Sequence, residues 1–272
     1  MTNEDGSTPH PARVIDCLLG GSAHDAADRS AAGRAAAAWP GGDLPGAART
    51  ARATLGRMVR HQMRELDIRQ LLDVGAGLPT RDNTHTVARR TAAGAHPGAS
   101  VVYVDRDPEV LGRARELLAA EGAADTSYLY GDLDDPDAII RAAATVLDLS
   151  QPVGLLLFGV LHRVSDDAEA AERVRAMTDL LAPGSCLSFA HPGPHEAAEA
   201  EDEALELIEP GWRQHTVRRG PTRVEAIFLP DLEPVAPGLV ELPDWRPEPG
   251  GKARLPSPVW CGMGLKTITA GM

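Results

Sequence analysis

Side chains able to do chemistry recur in this chain at one kind of place, the end of a short apolar run. Asp73 lies in Leu71-Leu72-Asp73-Val74, Asp105 closes Val101-Val102-Tyr103-Val104, Asp132 follows Tyr128–Gly131, and His162 comes just after Pro152–Val160. A carboxylate at the end of a buried strand reaches into the crevice above an open sheet, where such folds bind ligands. Gly75 and Gly77 follow the first run directly. Lacking a β-carbon, they let the backbone turn sharply and approach a ligand closely. A glycine turn followed by an acid at the next strand end is the pattern of a nucleoside-containing cofactor. Asp105 would then take both ribose hydroxyls, its bland alternative being to cap the following helix.

What the turn lacks narrows the ligand. A dinucleotide fingerprint needs a third small residue under the pyrophosphate, and here Pro79 and Thr80 occupy that region. Asp73 beside the loop repels a pyrophosphate and suits a cation. S-adenosylmethionine has an α-ammonium, a sulfonium and no phosphate, so the stretch favours it over NAD. Asp73 would orient the ammonium, with the Gly75–Gly77 backbone passing under the methionine part. Asp132 with Leu133 stands where a carboxylate accepts from the adenine amino group, or caps the helix beginning at Asp134-Asp135-Pro136. Arg106 lies along the adenine face or is solvated. Asn83 and His85 flank a helix start: Asn83 caps it, or either residue faces the cofactor carboxylate. His162 is a general base, titrating near neutral pH, or is hydrogen-bonded beneath its loop. His191 shares that ambiguity.

Elements must position these groups. From Gln70 onward, apolar runs alternate with helical periodicity, the rhythm of a mostly parallel sheet with crossover helices. Strands are expected at about 70–74, 100–105, 127–130, 152–160 and 185–190, with helices at about 82–92, 108–121, 136–147 and 166–181. Beyond His191 the pattern weakens. Glu196–Ile208 reads as a helix with an acidic solvated face, Pro221–Leu229 as a short helix, Leu239–Leu242 and Val259–Thr269 as strands, and Pro243–Pro258 as a long loop. Before the sheet, residues 10–66 read as three helices, at Arg13–Leu19, Ala23–Trp39 and Ala47–Glu65. In the third, Leu55, Met58, Val59 and Met63 share one face. The expected organisation is a polar tail and helical lid over 1–66 and one α/β unit over 67–272.

Composition sets the outer limits. The chain has 272 residues and a formal charge of −12, from 39 acids against 27 Lys and Arg. That balance argues against a nucleic-acid target, which wants a basic face. Cys17, Cys186 and Cys261 are odd in number and far apart, with no spacing that suggests zinc or a disulfide framework. No metal site is expected. The N-terminus shows no basic segment followed by an apolar run, and no window reaches the ~18 apolar residues of a membrane span. A cytoplasmic protein without membrane partners is expected. The sequence does not fix the oligomeric state; a homodimer is one option.

With these residues assembled, the chain resembles, almost over its full length, the actinobacterial S-adenosyl methyltransferase family, long known as a domain of unknown function. The resemblance rests on Ala12–Gly21 (ARVIDCLLGG), Ala27-Asp28-Arg29, Leu72–Val87 (LDVGAGLPTRDNTHTV), Tyr103–Pro108, Gly131-Asp132-Leu133, Val160-Leu161-His162 and Leu181–Ser185. It implies a Rossmann-like class I methyltransferase fold: a central seven-stranded, mostly parallel sheet, its last two strands antiparallel, under an N-terminal helical lid. It also implies methyl transfer from S-adenosylmethionine, often in natural-product pathways. In that reading Gly20 and Gly21 let the lid backbone close over the cofactor; otherwise they only stop a helix. The chain departs from the family at Cys17, usually aromatic, at His24-Asp25, usually an asparagine–aromatic pair, and at Ala51, often asparagine. All four lie in the lid.

Methyl transfer is an in-line displacement that needs alignment and exclusion of water more than a strong acid–base pair. A small-molecule acceptor is expected, an electron-rich aromatic such as an indole being one option. Asp25 and Asp28 could hold an amine acceptor, or Asp28-Arg29 could be a structural pair. A non-catalytic sensor of S-adenosylmethionine or S-adenosylhomocysteine is the rival reading, and an NAD-dependent oxidoreductase a more distant one.

Overall fold

The computed structural model describes residues 8–93, 98–248 and 258–267. Three helices come first, α1 (Pro11–Leu18), α2 (Ala26–Ala38) and α3 (Leu44–Arg64). Each starts at a side-chain cap, His10, Asp25 and Asp43 respectively, which satisfies amide N–H groups that a helix start leaves unpaired. The small faces of α1 and α2 allow close approach. Val14, Leu18, Ala31, Ala32 and Ala35 are buried together with Trp39, Leu44, Ala204 and Ile208.

The alternating part follows as β1 (Gln70–Val74), α4 (Thr84–Ala92), β2 (Ser100–Asp105), α5 (Pro108–Ala120), β3 (Thr126–Tyr130), α6 (Pro136–Ala143), β4 (Gly154–Phe158), α7 (Asp167–Asp179) and β5 (Cys186–Pro192). After it come α8 (Ala198–Glu206), the short α9 (Trp212–His215), α10 (Pro221–Phe228), β6 (Glu233–Pro234), β7 (Val240–Glu241) and β8 (Val259–Leu265). The expected elements are present among the described residues with ends shifted by a few positions. The sequence reading missed α9 and β6, which are too short for any period to register.

The sheet order is β3-β2-β1-β4-β5-β8-β6. The first five strands are parallel, and β8 runs antiparallel to the whole of β5, Cys186 opposite Leu265 and Pro192 opposite Val259. Among the described residues the sheet has eight strands where seven are expected, because two short segments share the outer side of β8. Glu233–Pro234 pairs with one end of it and Val240–Glu241 with the other. Pro234 brings no N–H to a ladder, so that edge cannot run as one strand. Most of the expected 243–258 loop lies outside the described residues.

Successive strand residues alternate between two cores. Leu71, Tyr103 and Leu156 pack on the α3, α4 and α5 side, with Met58, Val59 and Met63 of α3 fully buried there. Leu72, Val102, Leu155 and Leu157 face the other way, toward Ile139, Val174 and Phe228. With both faces covered, β4 reads as an unbroken apolar run. The winding reverses between β1 and β4, and in open α/β sheets the crevice at that reversal is where ligands bind.

Candidate active site

A cavity of about 1160 Å³ lies over the carboxyl ends of the parallel strands, beneath the N-terminal helices. Of the residues singled out from the sequence, Asp73, Gly75, Gly77, Asp105, Arg106, Asp132, Leu133 and His162 all line it. The sheet explains this grouping: each sits at or just beyond a strand end on the same edge.

The glycine turn is held tightly. Gly75 and Gly77 have φ of 70° and 63°, the left-handed region that an L side chain rarely adopts. A β-carbon at Gly75 would also run into Val160 of the β4 loop. The Gly75 N–H donates to the Val104 carbonyl at 2.8 Å, and the Gly77 N–H donates to Asp105 Oδ2 at 3.0 Å. From below, the Tyr128 hydroxyl donates to the Gly77 carbonyl at 2.5 Å. Tyr128 stacks on Tyr103, ring centroids 5.6 Å apart, and burial pushes both phenols up.

Asp73 is 5 % exposed and accepts from Thr84 Oγ1 at 2.6 Å. Burial raises its carboxyl to about 6, against the lowering effects of the Thr84 bond and of the Arg52 charge. Arg52, on α3, also lines the cavity. Arg106 faces Asp132, and Arg163, Arg173 and Arg218 pair with Glu209, Asp134 and Asp202. Among the described residues, Arg52 is therefore the lining arginine left without a carboxylate partner. Sequence reasoning passed over it; a lone arginine on an amphipathic helix carries no local signal.

Asn83 and His85 do not line the cavity. Asn83 is fully buried and caps α4, accepting from the Thr86 N–H at 3.0 Å and donating to the Thr80 carbonyl at 2.7 Å. His85 is held between the Tyr103 hydroxyl at 3.0 Å and Glu121 at 2.9 Å, and burial lowers its pKa. Both face the underside of the loop because the first turn of α4 rotates them toward β2. Gly20 and Gly21 also stay outside the lining. Gly20, at φ 73°, turns the chain after α1, and the missing β-carbon of Gly21 leaves room for the Asp16 carboxylate.

His162 is 6 % exposed, and neither ring nitrogen has a hydrogen-bond partner. Its ring lies against Trp212 of α9, centroids 4.7 Å apart. Burial, helped by the Arg163 charge, pushes its pKa down to about 3. A base that weak holds no proton near neutral pH and draws one poorly from an acceptor, which counts against the general-base reading. His191 lies outside the cavity. It sits 3.1 Å from the Val217 carbonyl and is likewise pushed down to about 3 by burial.

The lid differs from the sequence reading in its acids. Asp25 and Asp28 form the capping box of α2, and Asp28 is fully buried against Arg13, not Arg29. Cys17, His24 and Asp25 fall outside the lining, so of the four departures from the family pattern only Ala51 faces the cavity. Of the lid acids, Asp16 of α1 lines it instead, and a further lining acid lies on the helix expected to be solvated. Glu201 of α8 is 1 % exposed, and it reached the interior because Ala204 on the same helix packs into the lid cluster.

Among the described residues no cluster of three or more His, Cys, Asp or Glu is disposed to hold a metal, and no helix is long and apolar enough to cross a membrane. For an S-adenosyl cofactor, by contrast, the residues fit. The left-handed glycine cradle, the strand-end acids Asp73 and Asp105, and an unpaired Arg52 complement a nucleoside bearing an ammonium and a carboxylate.

Comparison with known proteins agrees. A family model described as S-adenosyl methyltransferase matches residues 2–267. A protein from Thermobifida fusca, described as a candidate methyltransferase, is 35% identical, with 97% of both chains covered and a TM-score of 0.79. A DUF574 family protein from Streptomyces avermitilis is 31% identical over 95% of this chain and 98% of its own, with a TM-score of 0.81. No curated protein matches significantly. A Rossmann-like methyltransferase fold, a site shaped for an S-adenosyl group and a family match along nearly its whole length make this chain a member of the S-adenosyl methyltransferase family, an enzyme whose methyl donor is S-adenosylmethionine.

Proposed function

We propose that this methyltransferase acts on a small molecule enclosed between the strand ends and the helical lid, in the cytoplasm and in secondary metabolism. The observation that carries the reading is the cavity itself. It extends from Asp73 and Asp105 to Trp39 on the lid and to Leu205 and Trp212 near α8 and α9. Pockets for one small ligand run to about 300–1,000 Å³, so roughly 1160 Å³ favours a donor and a compact acceptor together. The formal charge of −12 speaks against a nucleic-acid acceptor. In this reading residues 1–66 are the lid and 67–272 the methyltransferase body, folded as one unit.

Bound S-adenosylmethionine supplies an activated sulfonium methyl. Asp105 holds the ribose hydroxyls, Asp132 and Leu133 border the adenine with Arg106 beside it, and Asp73 and Arg52 take the α-ammonium and carboxylate. The Gly75–Gly77 backbone passes under the methionine part. Asn83, His85, Tyr103 and Tyr128 position that loop from beneath. His162, neutral and with both nitrogens free, lines the acceptor chamber as a hydrogen-bonding wall. The protein's main contribution is alignment and exclusion of water.

The test is transfer of label. Protein given S-[methyl-³H]adenosylmethionine and a cell extract split into small-molecule, RNA and protein fractions should label the small-molecule fraction. Label confined to RNA or protein would overturn the reading.

A further inference from the structure

The cavity lining includes two buried carboxylates that the cofactor reading leaves unused. Glu201 on α8 is 1 % exposed. Its Oε2 lies 2.8 Å from His195 Nε2 and accepts from Arg218 at 3.1 Å, whereas its Oε1 has no partner. Asp16 on α1 is also 1 % exposed and repeats the arrangement. Its Oδ2 accepts from the Ala23 N–H at 2.7 Å and meets His24 Nδ1 at 2.8 Å, but its unpartnered Oδ1 is turned against Gly21, outside the lining. Both residues line the cavity.

A buried carboxylate oxygen without a donor is costly, and a ligand that supplies a charged N–H recovers the loss. The nearby cations do not fill this role. Arg218 is engaged by Asp202 at 2.7 Å as well as by Glu201, and Arg163 is paired with Glu209. Trp39, Trp212 and the His162 ring line the same cavity as Glu201. Flat aromatic walls with a buried carboxylate match a ligand joining an apolar or aromatic body to an ammonium group.

Building on the methyl-donor reading, we infer that the acceptor is a protonated amine, held through its ammonium group by Glu201. The amine is a recognition handle, whichever atom of the acceptor receives the methyl group. The amine-holding role considered for Asp25 and Asp28 thus moves to Glu201, which lines the cavity.

The experiment is calorimetry on the full chain saturated with S-adenosylhomocysteine, using probes that differ only in the end group. Tryptamine, tryptophol and indole-3-propionate form one set, and phenethylamine with 2-phenylethanol a second. The amine of each set should bind at least tenfold more tightly than its alcohol, with no binding of the carboxylate. Glu201→Gln should erase the preference while keeping the affinity for S-adenosylhomocysteine. Equal affinities, an anion preference, or no binding by either amine would overturn the inference. So would an equal loss of S-adenosylhomocysteine affinity in Glu201→Gln, which would give the acid to the cofactor. Should that variant not fold, the wild-type probe ranking decides alone. If wild-type protein binds S-adenosylhomocysteine but shows no amine preference, only this inference falls; if it binds no S-adenosylhomocysteine, the donor reading falls with it.

Discussion

The Gly77 N–H and the Asp105 carboxylate are joined by a 3.0 Å hydrogen bond that ties the glycine turn of β1 to the end of β2. The other oxygen of Asp105 accepts from the Asp107 N–H at 3.1 Å. The acid is therefore fixed by backbone donors on both sides, and a carboxylate still has lone pairs to offer two ribose hydroxyls. In the proposed reading, one side chain shapes the loop and presents the ribose site at once.

Replacing it should thus be felt twice. Asp105→Ala is expected to weaken S-adenosylhomocysteine binding at least tenfold and to lower unfolding stability by about 1 kcal/mol from the lost loop bond. Calorimetry and denaturant titration read the two effects separately, and an unchanged affinity would refute the ribose role.

In the proposed reading, Asp73 would make cofactor binding pH-dependent. Its carboxyl is raised to about 6 by burial, and the ligand's α-ammonium would pair with the ionised form. Affinity for S-adenosylhomocysteine should fall as pH drops below about 6, approaching tenfold per pH unit. The stability sign is opposite. The folded state binds a proton more readily than the unfolded chain, so this group favours folding at low pH and loses that contribution as pH rises through about 6. Asp73→Asn should flatten the affinity profile, weaken binding and raise the neutral-pH melting temperature of the ligand-free protein. A profile for the variant that matches wild type would remove Asp73 from the site.

For Arg52, the discriminating ligand is one without the amino-acid part. Arg52→Met should cost about 1.5–3 kcal/mol in S-adenosylhomocysteine binding, the value of a hydrogen bond to a charged group, and leave 5′-methylthioadenosine affinity within twofold. Equal losses for both ligands would mean that Arg52 supports the fold and not the methionine carboxylate.

His162 and His191 are both pushed down to about 3 by burial, whereas an unfolded histidine titrates near 6.5. Their contribution to stability is present above about pH 6.5 and is lost as pH falls toward 3, by up to roughly 1.4 kcal/mol per pH unit for each. Melting temperature should decline between pH 7 and pH 5, and less steeply in a His162→Gln, His191→Gln double variant that still folds. Turnover should show no ionisation of His162 between pH 5 and pH 8. A rate that tracks a group titrating near 6.5 and vanishes in His162→Gln would restore the general base.

Tyr128 offers a test of loop support at a distance from the ligand. Tyr128→Phe removes only the donor to the Gly77 carbonyl. A stability loss of about 0.5–1.5 kcal/mol with a severalfold weaker cofactor affinity is expected, because the carbonyl sits in the loop that carries the methionine part. An unaltered affinity would show that the loop holds its shape without that bond.

The order of elements, the parallel sheet and the edge proposed to hold the cofactor were all legible in the residues alone. Those features are local: an apolar run, two glycines and a strand-end acid announce themselves within a few residues. All the strand-end groups of the first four strands, Asp73, Asp105, Asp132 and His162, meet in one cavity because a parallel sheet brings every strand end to the same side. What only the tertiary structure decided depends on the rotation of helices and on burial. Asn83 and His85 share a motif with the glycine turn yet face beneath it, because α4 turns them toward Tyr103. Arg52 belongs to α3 and meets the cavity only once that helix lies over the sheet. Glu201, one acid among many in an acidic helix, is singled out solely by the packing of Ala204 against the lid, which turns a surface residue type into a buried charge with a free oxygen.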